Sequence, residues 1–234
     1  MNVTALIMAG GKGTRMRYPL EKPLIPICGK AMVERVLSAV QRSRRVSRVF
    51  VVVSPDTPVT TERIRLTDGV GLIMAPGAGY IEDMRYAIRN ERLSTAVVIS
   101  ADLPLIIPEI IDEVIEEYER SKKPALMVAV RKEFYERLGF HSNSVYCEEY
   151  SSIVPAGINV LNGPAIGDEE LEEEVLVLNR VEMAANINSR EDLQRVEELA
   201  HQVELCQSTS DTEQDEARKG SRPEQHGYRK DKVR

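Results

Sequence analysis

The repeated alternation of strand-length apolar runs with amphipathic segments constrains this chain more than any other feature. Val3 to Met8 is the first run, and Val49 to Val53 is pure valine and phenylalanine, as expected of a strand covered on both faces. Val70 to Ala75, Ala96 to Ser100 and Ala125 to Val130 repeat the pattern. Between them, Met32 to Gln41 carries Val33, Val36, Leu37 and Val40 on one helical face, and Tyr80 to Arg92 carries Ile81, Met84, Ala87 and Ile88 on another. Thr60 to Leu66 reads as a short helix. A longer one is expected from Pro108 to Arg120, because Pro suits a first turn and acidic residues suit that end of the helix dipole. Strands alternating with helices predict βαβ units. The expected fold is therefore α/β, a three-layer α/β/α Rossmann-like arrangement around a mostly parallel central sheet.

The rhythm breaks between about Arg131 and Gly163, where Phe134, Tyr135, Phe140, Tyr146 and Tyr150 stand among polar residues. That change is compatible with a substrate-side insertion over 131–163 and equally with irregular surface structure. Strands at Val154 to Leu161 and Val175 to Leu178 and a helix from about Arg190 to Val203 close the pattern. A single domain over 1–206 is expected. Residues 207–234 are polar and charged with few aliphatics, and read as a disordered tail.

Composition removes several functional classes. Hydrophobic residues make up 42% of the 234, enough for a substantial core. Trp is absent and aromatics are 5%, which argues against a stacking platform for single-stranded nucleic acid. A net charge of −6 argues against general binding to nucleic acid or anionic membranes. Any anion site must be local. Cys28, Cys147 and Cys206 form no CxxC pair, so a structural zinc site is not expected and a reducing cytoplasm is the easy reading. The first apolar run lacks the basic flank and length of a signal peptide, and no run approaches the length of a membrane span.

One connection is out of proportion. About twenty residues separate the first strand from its helix, where roughly two to six suffice. This segment opens with Ala9-Gly10-Gly11-Lys12-Gly13-Thr14-Arg15-Met16. It is not a P-loop, because Lys12 is followed by Gly13 and not by Ser or Thr. Nor is it a dinucleotide loop, because Met16 stands where the third glycine belongs. The shared chemistry survives: glycines let backbone N–H groups turn toward an anion, and cations stand beside them. Lys12, Arg15, Arg17, Lys22 and Lys30 face only Glu21 in a chain that is otherwise acidic. They gather at the carboxyl end of a central strand, the usual ligand crevice of an open α/β sheet.

Enzymes that react a polyphosphate usually hold Mg²⁺ on carboxylate oxygens. Asp102, just beyond the run Ala96 to Ser100, faces the same crevice, as a metal ligand or as a cap on its own loop. In Ala185-Asn186-Ile187-Asn188-Ser189, Asn188 or Ser189 suits the N-cap of the last helix. Glu82 and Asp83 suit a helix start as well as a ligand. His141, His201 and His226 form no recognisable triad.

Gly10-Gly11-Lys12-Gly13-Thr14-Arg15-Met16, Glu21-Lys22-Pro23-Leu24, Ala101-Asp102-Leu103 and Asn186-Ile187-Asn188-Ser189, in this order, resemble the GT-A-like, MobA-type nucleotidyltransferases. Gly79-Tyr80-Ile81-Glu82-Asp83 and Val154-Pro155-Ala156-Gly157-Ile158-Asn159-Val160 are similar to the archaeal branch that guanylylates adenosylcobinamide phosphate in cobalamin synthesis. The likeness covers about residues 1 to 203. It implies the GT-A-like fold and a cytoplasmic enzyme using GTP, a corrinoid phosphate and Mg²⁺, without nucleic acid or membrane insertion; a homodimer is left open. It further implies that Ala9, Gly10, Gly11, Lys12, Gly13, Thr14, Gly77, Gly79 and Tyr80 bind the nucleotide. Lys22, Arg15 and Asp102 would be catalytic, with Lys22 also at the α-phosphate. Asp102 and Asn188 would hold Mg²⁺, with Asn186 as the alternative to Asn188, and Pro155, Ala156, Gly157 and Asn159 would meet the acceptor. Rivals are a molybdenum cofactor guanylyltransferase, an isoprenoid-pathway cytidylyltransferase and a non-catalytic GTP-binding module.

Overall fold

The computed structural model describes residues 2–11, 13, 16, 18–142, 145–148, 151–167 and 171–201. Strand β1 (Val3–Met8) is buried along its whole length. The long connection after it is not plain loop. It contains a 3-10 turn, Lys22–Leu24, and a small hairpin of β2 (Pro26–Ile27) and β3 (Lys30–Ala31). Cys28 and Gly29 both have positive φ, the geometry a two-residue hairpin loop favours.

Helix α1 (Met32–Arg42) buries the predicted face of Val33, Val36, Leu37 and Val40. Strand β4 (Val46–Val53), helix α2 (Pro58–Arg65), strand β5 (Gly71–Met74), helix α3 (Tyr80–Asn90) and strand β6 (Thr95–Ser100) follow. On α3, Met84, Ala87 and Ile88 are buried, but Ile81 points to solvent and is 52% exposed. Asp83 takes an inward position instead, because it serves a turn described below. Next come α4 (Pro108–Arg120), β7 (Ala125–Arg131), α5 (Lys132–Arg137), β8 (Tyr146–Glu148), β9 (Ser151–Asn162), β10 (Glu173–Val177), α6 (Val181–Ala184) and α7 over 190–201.

The sheet order is β10-β7-β9-β6-β1-β4-β5, with β8 paired to β9. β1 runs parallel to β4 and β6, β4 to β5, and β7 to β10. β9 alone in that order is reversed, pairing antiparallel with both β6 and β7. The mostly parallel sheet expected from the alternation is present. The segment 131–163 supplies α5 and β8 and also this central strand, so its last third is core.

Alternate residues of β1 enter two different cores, as a strand covered on both faces requires. Val3, Ala5 and Ile7 pack with buried residues of α1, α4 and α7 on one face. Leu6 and Met8 pack with Met84, Ala87 and Ile88 of α3 on the other. The positions 207–234 and Cys206 lie outside the described residues. Among the described residues, no helix is long and apolar enough to cross a membrane.

Candidate nucleotide-transfer site

Three backbone segments meet at the carboxyl ends of β1, β4 and β6, and each is fixed by side chains from elsewhere in the chain. Ser54, buried at the end of β4, donates from Oγ to the Gly10 carbonyl at 2.7 Å. The Arg190 Nε donates to the Met16 carbonyl at 3.2 Å, so the start of α7 pins the far side of the same loop. Glu21 reaches α2, where its carboxylate accepts the Val59 and Thr60 N–H groups at 2.8 and 2.7 Å and the Thr60 hydroxyl at 2.6 Å. A carboxylate on free N–H groups at a helix start is both a cap and a favourable partner for the dipole. The effect is to hold the next residue, Lys22, in one place.

Gly13 must be glycine for the same reason. Its φ is +60°, and a Cβ there would lie 2.7 Å from the Lys22 Cβ. The Lys22 ammonium then meets Asp102 Oδ2 at 2.5 Å and donates to Asn188 Oδ1 at 3.3 Å. Asn188 in turn donates from Nδ2 to Asn186 Oδ1 at 2.9 Å. Behind these amides, Ser189 and Asp192 form a reciprocal cap on α7. Asp192 Oδ2 accepts the Asn188 and Ser189 N–H groups at 2.9 and 2.8 Å, and the Asp192 N–H donates to Ser189 Oγ at 3.0 Å. Ser189 is thus the capping side chain, which leaves Asn188 to meet Lys22 and Asn186 to meet Asn188.

Asp102 Oδ1 is buried and has no hydrogen-bond partner among the described residues. A buried carboxylate oxygen without a partner is costly, and a cation would satisfy it. The donors nearby are oxygens: Asp102 and the amides of Asn188 and Asn186. Among the described residues, no group of three or more His, Cys, Asp or Glu side chains is placed to hold a metal ion. Such a set suits a hard cation that completes its shell with phosphate oxygens and water, as Mg²⁺ does. The residues present therefore fit Mg²⁺, and Asp102 and Asn188 are the side chains placed to hold it.

The opposite wall is the Gly77-Ala78-Gly79 turn. Asp83, only 6% exposed, accepts the Gly77 and Ala78 N–H groups on Oδ1 at 3.0 and 3.1 Å. Its role is to hold the turn. Between the walls lies a cavity of about 360 Å³ whose lining includes Ala9, Gly10, Gly11, Lys22, Gly79, Tyr80 and Asp102. The Tyr80 residue is 41% exposed, yet burial of its hydroxyl end raises its pKa, the Asp102 charge adds to the rise, and a hydrogen bond with Asn159 partly opposes it. The hydroxyl stays protonated across the physiological range. Burial, with smaller contributions from Asp192 and Asp102, likewise pushes the Tyr135 hydroxyl up to about 12.

Pro155, Gly157, Asn186 and Asn188 line an adjoining cavity together with Tyr80 and Ser100. Asn159 faces a third cavity, also bordered by Tyr80. Ala156 does not join them. It is 2% exposed and packed into the helix-covered core, because alternate residues of β9 face opposite sides. Lys12, Thr14 and Arg15 lie outside the described residues. Reasoning from sequence missed Glu21, Ser54 and Arg190 as positioning groups. Their partners are far away in the chain, so no local pattern marks them.

Residues 5–162 match the family model described as the MobA-like NTP transferase domain. Among curated proteins, an adenosylcobinamide-phosphate guanylyltransferase of Methanocaldococcus jannaschii is 36% identical over 204 residues, covering 83% of this chain and 96% of that protein. A Thermococcus gammatolerans protein named "probable molybdenum cofactor guanylyltransferase" is 26% identical, covering 80% of this chain and 95% of its own. Among solved structures, a hypothetical transferase of Thermus thermophilus superposes with a TM-score of 0.62 at 18% identity, covering 82% of this chain and all of that one.

Proposed function

The chain belongs to the MobA-like NTP transferase family and is a nucleotidyltransferase of the GT-A-like fold; on that premise we propose that it transfers GMP from GTP to adenosylcobinamide phosphate, giving adenosylcobinamide-GDP and pyrophosphate. The observation that carries the reading is the corner where Lys22, which lines the nucleotide cavity with Asp102, bonds both Asp102 and Asn188, the latter lining the adjoining cavity. It is supported by the 36% identity to the Methanocaldococcus protein over nearly all of that protein's length.

In this reading the triphosphate lies along Gly10, Gly11 and Gly13, with the guanosine toward Gly77 and Gly79. An anionic oxygen of the acceptor phosphate attacks the α-phosphorus, and the bond from that phosphorus to the bridging oxygen of the β-phosphate breaks. Pyrophosphate carries away the electron pair. The attacking oxygen is already deprotonated, so no general base is needed. Asp102 and Asn188 would hold Mg²⁺, which when bound supplies charge neutralisation at the phosphates. Lys22 exchanges its contact with Asp102 for the α-phosphoryl oxygens. Two polyanions must approach each other, so positioning and cationic stabilisation supply the rate.

The 26% identity to the Thermococcus protein favours one second reading, guanylylation of molybdenum cofactor at the same corner. Isotope partition tests the proposal. With GTP labelled in the α-phosphate, the label is expected in the corrinoid product, and with γ-label it is expected in pyrophosphate. Transfer of α-label to molybdopterin but not to the corrinoid would select the second reading.

A further inference from the structure

Resting on the acceptor reading above, we propose that the groove on the sheet face beside α3 seats the bulky apolar body of the phosphorylated acceptor, whose phosphate then reaches the Lys22 corner past Tyr80. The two faces of the sheet are unequally covered. Helices α1, α4 and α7 pack on one, whereas α3 supplies the buried helical residues of the other, over Leu6, Val52 and Val98. On that second face Ala125 and Met127 of β7 and Asn159 and Leu161 of β9 line a groove of about 420 Å³, with Ile166 and Leu171 packed along it. Ile81 and Met84 of α3 form one wall, and Tyr146 of β8 forms another.

The side chains at its rim are the wrong kind for plain solvent contact. Ile81 is 52% exposed and Tyr146 57% exposed, on two walls of one groove. Contiguous exposed apolar surface marks a binding site more often than an accident of folding. Arg85 is the basic side chain on the groove, and it is paired with Glu82 at 3.2 Å. A second triphosphate has little to bind there, but a large apolar body does.

Continuity with the reaction corner identifies the occupant as the acceptor. Tyr80 lines the nucleotide cavity, the groove and the adjoining cavity described above, and Tyr146 lines the latter two. That adjoining cavity is also lined by Gly157, Asn186 and Asn188. A ligand seated on Met127 and Leu161 can therefore send a phosphate arm over Gly157 to the amides without crossing the space for GTP. Asn159 on the groove floor hydrogen-bonds the Tyr80 hydroxyl, which links the two compartments.

Ile81→Asp places a charge on the rim at an exposed position and should leave the fold intact, checked by circular dichroism. In the full chain we expect the KM for adenosylcobinamide phosphate to rise at least tenfold, while the GTP dissociation constant from calorimetry stays unchanged. Tyr146→Ala should act in the same direction. An unchanged acceptor KM, or an equal loss of GTP binding, would overturn the groove assignment while leaving the transferase reading in place. A change of oligomeric state on gel filtration with unchanged KM would also overturn it, in favour of a second copy of the chain on this face. If the wild-type protein does not use the corrinoid, the acceptor reading fails and the groove is judged with 8-anilinonaphthalene sulfonate. Dye fluorescence that resists GTP and falls in Ile81→Asp supports an apolar seat for another acceptor; fluorescence indifferent to Ile81→Asp refutes the seat.

Discussion

The two halves of the sheet are built on different rules. From β6 through β1 and β4 to β5, every strand runs the same way, and the strand ends deliver Gly10, Ser54 and Asp102 to one crevice. From β9 to β10, the reversed strand β9 is wedged between parallel neighbours, with α5 and β8 leading into it. The parallel half presents loop ends, which are suited to gripping phosphate. The half around β9 presents part of a strand's side-chain face, Asn159 and Leu161, suited to choosing what the phosphate is attached to. On the proposed reading, common chemistry and acceptor choice occupy separate structural units that meet at Tyr80.

This division can be broken by mutation. Asp102→Ala, at the end of β6, should cost on the order of 10³-fold or more in kcat with any acceptor, as removal of a transition-state contact does. Circular dichroism and thermal unfolding should show the fold retained; normal turnover would remove Asp102 from the chemistry. Asp83→Ala leaves the Gly77 and Ala78 N–H groups without their acceptor. Gly77 and Ala78 are exposed, so water can satisfy the freed donors. The loss is that of the hydrogen bonds to a charged group that hold the turn, about 1.5–3 kcal/mol, so the KM for GTP should rise about tenfold, with a smaller change in the acceptor KM. Initial rates at varied GTP and fixed acceptor measure this, and an effect on the acceptor alone would erase the distinction between the halves. Gly157→Ala, on β9, forces a Cβ at φ +76° to within 3.2 Å of the Ser100 Cβ and 3.4 Å of Asn186 Nδ2. The expected result is a several-fold rise in acceptor KM and about 1–3 kcal/mol lost from stability, with GTP affinity kept.

The smallest effect concerns Tyr135, the buried residue of α5. An unfolded tyrosine loses its proton near pH 10, but the folded Tyr135 holds its proton up to about 12. The unfolded state therefore binds fewer protons in that window, and stability falls as pH rises from about 10 to about 12. Tyr135→Phe should flatten that fall. Urea unfolding of both proteins at pH 9 and pH 11 measures it, and equal losses in both would dismiss the linkage.

The parallel half was legible because its strands are continuous apolar runs and its helices have one clear face, as Val49 to Val53 and Val33 to Val40 illustrate. The glycine loop and Asp102 were legible because both stand immediately after such runs. The half around β9 was less so. Polar residues at Asn159 and Asn162 and the residues of 131–150 interrupt its pattern, and reversal of a strand leaves no mark in composition. Positioning groups were the hardest to read. Glu21 looked like a lone acid among cations, and its true partners are the N–H groups of Val59 and Thr60. Asp83 looked like helix-start electrostatics and proved to hold a turn within its own neighbourhood. Ala156 was drawn into the site by its neighbours' motif, although strand periodicity alone would have sent it to the core.

The most direct test is pyrophosphate release by the purified protein with Mg²⁺, using GTP, ATP and CTP in turn, each with and without adenosylcobinamide phosphate. Release with GTP only when the corrinoid is present is the predicted result. Tight GTP binding with no release, or release that ignores the corrinoid, would contradict the account.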